Sequence, residues 1–106
     1  MRILLIHQNY PGQFRQLIPL LREDGHELRA ICSHQRSLPD DVPVLRYEEP
    51  DLSGMESVPS APGLDYWAHG LARAPQVAWH AEQWRREGCV PSLILGHSGW
   101  GETLLL

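Results

Sequence analysis

The chain has few cysteines, no long apolar run and no concentrated basic segment, and each absence excludes a class of protein. Cys32 and Cys89 are its only cysteines and form no CxxC pair, which excludes a disulfide framework and a cysteine zinc site. The apolar run after Arg2 has four residues, too few for a secretory signal or a membrane span. We therefore expect a cytoplasmic protein with reduced thiols, either free or peripheral to the inner face of the membrane.

The charge balance argues against nucleic acid as the main partner. Nine basic and 13 acidic residues give a net charge of -4, and Arg85 and Arg86 form the only basic doublet. Binding to phosphate backbones requires a concentrated basic surface. The apolar content of 42% and the length of 106 residues predict a single globular domain over residues 1–106.

The spacing of apolar residues predicts alternating strands and helices. Residues 2–6 form a continuous apolar run, which is typical of a strand covered on both faces. Residues 13–23 have helical spacing, interrupted at Pro19 and ended by Gly25. The other predicted elements are strands at 27–32, 44–47 and 92–95, a long loop at 48–63, a helix at 64–87 and a helix beginning at 101.

The helical pattern at 64–87 contains three tryptophans. Trp67 and Trp84 lie on or beside its apolar stripe and are expected in the core, whereas Trp79 lies off that stripe. Pro75 is expected to bend or divide the helix.

This order of elements predicts an α/β fold, namely a Rossmann-like domain of three layers with a parallel sheet of about four strands. Right-handed crossovers restrict the strand order, and we expect third, second, first, fourth. The carboxyl ends of the first and fourth strands then border one crevice. Ligands of open α/β sheets bind at such a switch point.

Two polar loops are expected to line this crevice. HQNYPGQF covers His7–Phe14 and GHSGWGE covers Gly96–Glu102. Gly12 allows close approach of a ligand, and the helix after it would offer unpaired N–H groups to an anion. Gly99 and Gly101 are expected to act similarly on the other side.

These two loops, with EDGHEL at 23–28 and the full stretch EGCVPSLILGHSGWGETLLL at 87–106, resemble the amino-terminal domain of family 4 glycosyltransferases. Such enzymes have the GT-B fold, in which two Rossmann-like domains face each other across a cleft. The resemblance extends over most of the chain and is weakest at 33–63. Ser98 departs from it, because similar sequences often have proline there.

The resemblance implies the transfer of a sugar from a nucleotide-sugar donor to an acceptor hydroxyl, without a cofactor or a bound metal. It implies that this domain mainly holds the acceptor, while a carboxyl-terminal domain mainly holds the donor. It also predicts further strands after Leu106. We therefore expect residues 1–106 to be the truncated amino-terminal half of a GT-B glycosyltransferase, inactive without the other half.

His7 and His97 are the candidate catalytic residues. A neutral imidazole near pH 7 can orient or deprotonate an acceptor hydroxyl. The alternative for each is a histidine at a strand end that bonds to nearby backbone. Two histidines are too few for a closed zinc site, and no metal site is predicted.

The other candidates for substrate binding lie in the same two loops. Gln8 and Asn9 can bond to sugar hydroxyls, although Asn9 can equally satisfy its own turn. Tyr10 and Trp100 can stack on a sugar or pack the loop. Glu102 can accept a hydrogen bond from a ligand or cap the last helix. The predicted substrate-binding residues are Gln8, Asn9, Tyr10, Gly12, Gly99, Trp100, Gly101 and Glu102.

Two other enzyme classes are excluded, and one non-enzymatic alternative stays open. No GxGxxG follows the first strand, which excludes a dinucleotide site. GHSGW lacks the second glycine of a nucleophile elbow, and no Asp and His follow it in order. The alternative is a stand-alone α/β binding or assembly module, which would form a homodimer through apolar surface at Leu104–Leu106.

Overall fold

The computed structural model describes residues 1–35, 41–52, 64–97, 99 and 101–106. Most of the predicted loop at 48–63 lies outside these residues. In chain order the elements are strand β1 (Arg2–Ile6), strand β2 (Asn9–Tyr10), a 3-10 turn (Gly12–Arg15), helix α1 (Leu17–Glu23), strand β3 (Glu27–Cys32), strand β4 (His34–Gln35), strand β5 (Val44–Arg46), helix α2 (Leu64–Arg86) and strand β6 (Leu93–Gly96).

The main sheet has four parallel strands in the order β5-β3-β1-β6. β1 lies inside it, with Ile6 aligned to Ile31 of β3 on one side and to Gly96 of β6 on the other. This confirms the predicted parallel sheet, with its four long strands in the predicted order. The short strands β2 and β4 form a separate parallel pair, which the sequence did not predict because two residues show no periodicity.

Both faces of the sheet are covered, as the unbroken apolar run of β1 predicts. Ile3 and Leu5 lie in one core cluster together with Ile18 of α1. Leu4 and Ile6 lie in a second cluster, which contains residues of α2. Side chains alternate across a strand, so the two clusters lie on opposite faces and the domain has three layers.

Helix α1 begins later than predicted, at Leu17 instead of residue 13. The 3-10 turn at Gly12–Arg15 occupies the predicted first turn. Pro19 is the third residue of α1, where its missing N–H would have had no partner within the helix.

Helix α2 is one continuous helix that contains Pro75, so of the two predicted effects of Pro75, a bend or a division, the division is wrong. Val77 and Trp84 are buried against the sheet, but the expectation that Trp67 lies in the core is also wrong, because Trp67 is 64% exposed. A helix of 23 residues is roughly 34 Å long, whereas the five residues of β1 span roughly 17 Å. The helix is therefore longer than the sheet beneath it, and near its start the described side chains of Trp67 and Leu71 are exposed.

The predicted helix after residue 101 is also absent. Residues 102–105 form turns, and the N–H of Leu104 donates to the carbonyl of Gly101 at 3.2 Å. Among the described residues, no helix is both long and apolar enough to cross a membrane.

Candidate functional site

The structure brings His7 and His97 together at the carboxyl edge of the sheet. β1 and β6 are adjacent and parallel, and His7 and His97 follow directly after their aligned ends. The two imidazole centroids are 5.8 Å apart, with the rings inclined at 64°. The predicted proximity of the two loops is therefore confirmed.

His7 is held tightly and is only 8% exposed. Its Nδ1 accepts a hydrogen bond of 3.0 Å from the backbone N–H of Asn9. The ring of Phe14 meets the imidazole edge-on at a centroid distance of 5.8 Å. Gly12 has a φ of +49°, and a Cβ there would lie 2.5 Å from Nε2 and 2.6 Å from Nδ1 of His7. Glycine is therefore required both by the backbone conformation and by the ring above it.

The hydrogen bonds determine where a neutral imidazole carries its proton. A backbone N–H can only donate, so Nδ1 of His7 is unprotonated and the proton lies on Nε2. The backbone N–H of Gly99 donates to Nδ1 of His97 at 3.2 Å, which gives His97 the same tautomer. Burial, and secondarily the neighbouring His97, lower the pKa of His7. At neutral pH, His7 is therefore an uncharged ring with an N–H donor at Nε2.

The other predicted residues have different surroundings. Asn9 and Gly99 are exposed in their loops, beside the two histidines. Tyr10 is fully buried in the core, which fits the packing alternative and leaves no ring face for a sugar. The N–H of Phe14 donates to the carbonyl of Pro11 at 2.9 Å, so this amide of the predicted anion site is already satisfied. Trp100 lies outside the described residues.

A polar network that the sequence analysis missed lies behind the His7 loop, and we call it the Glu49 network. Oε1 of Glu49 accepts from Ser33 Oγ at 2.6 Å and from Gln8 Nε2 at 3.0 Å. Oε2 accepts from Arg73 Nε at 2.9 Å, and the Arg73 side chain is 8% exposed. Burial acts to raise the pKa of Glu49, but the hydrogen bonds from Ser33, Arg73 and Gln8 outweigh it and lower the pKa.

Glu102 carries a buried carboxyl group, and the residue is only 1% exposed. The hydroxyl of Tyr47 donates to its Oε1 at 3.0 Å. Burial is the main reason why the pKa of Glu102 is raised. Residues 102–105 form turns, and the Glu102 side chain is enclosed by the protein in the described residues.

Replacing Glu102 by glutamine is expected to raise the free energy of unfolding at pH 7. Since the folded pKa lies above the ordinary value of 4.5, the unfolded chain ionises first as the pH rises, and the folded state loses stability. Glutamine removes that loss and keeps an oxygen for the Tyr47 hydroxyl. Thermal unfolding should show the gain at pH 7 and none near pH 4, with the exposed Glu87→Gln as control. A loss of stability at pH 7 would contradict the raised pKa.

One sequence signal could have revealed the Glu49 network. Between residues 66 and 81 of α2, Arg73 is the only Asp, Glu, Lys or Arg. It lies beside the buried Ala74 and one helical turn from the buried Val77. A single arginine on the apolar side of a helix requires an acidic partner inside the fold.

No described group of three or more His, Cys, Asp or Glu side chains could hold a metal ion.

The parallel sheet, its two covered faces and the polar loops at its carboxyl edge define a Rossmann-like α/β domain. The sequence profile of the Glycosyl transferase family 4 group matches residues 24–106, and the chain belongs to this family. The match includes Glu49, Arg73 and His97 but begins after the His7 loop. No curated protein and no solved structure matches the chain.

Proposed function

We propose that this chain is the acceptor-side domain of a GT-B glycosyltransferase that transfers a sugar from a nucleotide-sugar donor to an acceptor hydroxyl. Membership of the Glycosyl transferase family 4 group supports a glycosyltransferase role in general. The main observation that supports the position of the site is the pair of imidazoles, whose centroids are 5.8 Å apart at the carboxyl edge of the sheet. In each ring Nδ1 already accepts a backbone N–H.

The tautomer favours an orienting role for the histidines over proton abstraction. A general base needs an unprotonated nitrogen that faces the hydroxyl, and in both rings that nitrogen is occupied by backbone. At His7, the N–H at Nε2 suits an oxygen acceptor, such as a sugar hydroxyl or a phosphate oxygen. Donors that are fixed in advance stabilise charge that develops on oxygen, with little reorganisation during the reaction.

The proposal also includes a nucleotide-sugar donor and a second, carboxyl-terminal domain. We expect the two histidine loops to line one side of a crevice, whose other side a GT-B enzyme forms with its carboxyl-terminal domain. We therefore assign nucleotide-sugar binding mainly to that second domain and expect no cofactor. The free thiols Cys32 and Cys89 fit a cytoplasmic location.

In the full-length protein, His7→Ala is expected to lower the rate of sugar transfer about 100-fold, as expected for the loss of one fixed donor. His7→Gln should retain more of the rate, because its amide still donates. The rate should fall as the pH drops through the pKa of His7, because the imidazolium carries a proton on Nδ1 and cannot accept the N–H of Asn9 that positions the ring. Transfer from a panel of nucleotide sugars, followed by nucleotide release, measures all three expectations.

His26→Ala is the control, because His26 bonds to the amino terminus at the opposite edge of the sheet. A His7→Gln protein as slow as His7→Ala would show that His7 is a base, because the glutamine amide can donate a hydrogen bond but cannot take up a proton. Unchanged transfer in both His7→Ala and His97→Ala would remove the proposed site.

A further inference from the structure

We propose that Glu49 is a positioning residue for the candidate site, and that its carboxylate holds the loop after β1 so that His7 presents an N–H donor at Nε2. The inference rests on the proposed function for its catalytic consequence. Its structural part concerns the His7 tautomer alone and can be measured without a substrate.

One carboxylate joins three separate parts of the fold. Glu49 follows β5 and accepts hydrogen bonds from the loop after β1, from the end of β3 and from α2, through Gln8, Ser33 and Arg73 respectively. Ser33 Oγ also lies 3.0 Å from the carbonyl oxygen of Gln8. The Ser33 hydroxyl has one proton, and we assign it to the shorter hydrogen bond, of 2.6 Å, to Glu49. Both oxygens of Glu49 are therefore engaged.

Gln8 transmits this restraint to His7. Its side chain is bound to Glu49, and its carbonyl accepts N–H groups from Ser33 at 3.2 Å and from His34 at 2.9 Å. Gln8 lies between His7 and Asn9, the two residues joined by the hydrogen bond at Nδ1. A movement of Gln8 shifts the Asn9 N–H away from Nδ1, and the preference of the ring for its tautomer is then lost.

The charge of Arg73 makes the carboxylate indispensable at this position. A buried guanidinium requires an anionic partner, and removing one member of such a pair is strongly destabilising. A glutamine amide at position 49 has one oxygen for the three donors that surround the carboxylate. Its NH₂ group would face Arg73, which cannot accept a hydrogen bond, or would require Ser33 and Gln8 to turn an acceptor toward it and lose their present bonds. Neutral glutamine is therefore a disruptive substitution in spite of its similar shape.

The test uses the full-length protein labelled with ¹⁵N-histidine, in which two-bond ¹⁵N–¹H spectra show the proton position on each imidazole. In the wild type, His7 and His97 should both be protonated at Nε2. Glu49→Gln should convert His7 to a mixture of tautomers. His97 should be unchanged, because its Nδ1 bond comes from Gly99 in the other loop.

Glu82→Gln is the matched control. Glu82 also binds arginines, Arg85 at 2.6 Å and Arg86 at 3.1 Å, but on the exposed face of α2. Its replacement should leave the His7 spectrum unchanged. A His7 tautomer that stays unchanged in a folded Glu49→Gln protein overturns the proposal, as does an equal change in Glu82→Gln.

Gln8→Met keeps the test decisive if Glu49→Gln does not fold. It removes the link from Glu49 to the loop and leaves the ion pair with Arg73 intact. It should produce the same mixture of His7 tautomers, and a wild-type spectrum overturns the proposal. If the proposed function is also correct, Gln8→Met should slow sugar transfer about 10-fold through misplacement of His7.

The two proposals can fail separately. A tautomer change in Glu49→Gln, combined with normal transfer by His7→Ala, supports positioning and rejects the catalytic role of His7. Loss of transfer in His7→Ala, combined with an unchanged tautomer in Glu49→Gln, supports the proposed function and overturns the role of Glu49.

Discussion

Replacing Trp84 by alanine is expected to lower the free energy of unfolding by about 3–5 kcal/mol. Trp84 is 6% exposed and lies in the core cluster between α2 and the sheet, together with Val77 and Leu4. Its ring also lies 5.2 Å from the guanidinium carbon of Arg29, within the range of a cation–π contact. Alanine leaves a cavity and removes that contact. Urea unfolding followed by circular dichroism measures the loss.

Trp79→Ala is the matched control, since it makes the same chemical change in the same helix. Trp79 is 60% exposed, and a substitution at such a position is expected to change stability by about 0.5 kcal/mol or less. Similar losses for the two variants would show that Trp79 is packed as tightly as Trp84. That result would contradict the placement of α2 on the sheet.

The fold was largely predictable because it depends on periodicity and chirality. The unbroken apolar run of β1 indicated a strand inside two covering layers, and the crossover rule then placed β6 beside it. The wrong prediction for Trp67 arose because the length of α2 relative to the sheet decides whether that side chain is buried. Trp67 has the correct helical spacing for the core, but spacing does not show that α2 extends past the sheet.

The site was predictable only in part. The crossover rule brings the ends of β1 and β6 together, so the proximity of His7 and His97 follows from topology. Their tautomers depend on single hydrogen bonds to Asn9 and Gly99, which a sequence does not show. The contact of Gln8 with Glu49 joins residues 41 positions apart, and no local pattern indicates it. Of the residues in the Glu49 network, only Arg73 could have been recognised from the sequence, as the single charged residue between positions 66 and 81.

Replacing Gly101 by alanine is expected to destabilise the protein by about 2–4 kcal/mol, from two costs that add. The φ of Gly101 is +77°, a left-handed conformation that costs an L-residue about 1 kcal/mol. A Cβ there would also lie 2.8 Å from the carbonyl carbon and oxygen of Gly70 in α2. Backbone atoms of a helix cannot turn aside as a side chain can, so overpacking adds about 1–3 kcal/mol.

Gly25→Ala separates these two costs. Gly25 has a similar φ of +81°, but a Cβ there would meet no atom within 4 Å. It should therefore lose about 1 kcal/mol, the conformational cost alone. The difference between the two losses measures the contact of Gly101 with Gly70.

The contact of Gly101 with Gly70 should also restrain the His97 loop, because Glu102 is buried directly after Gly101. The ¹⁵N signals of His97 should therefore shift in Gly101→Ala and not in Gly25→Ala. Equal losses of stability in the two variants would show that α2 and the loop after β6 are not in close contact.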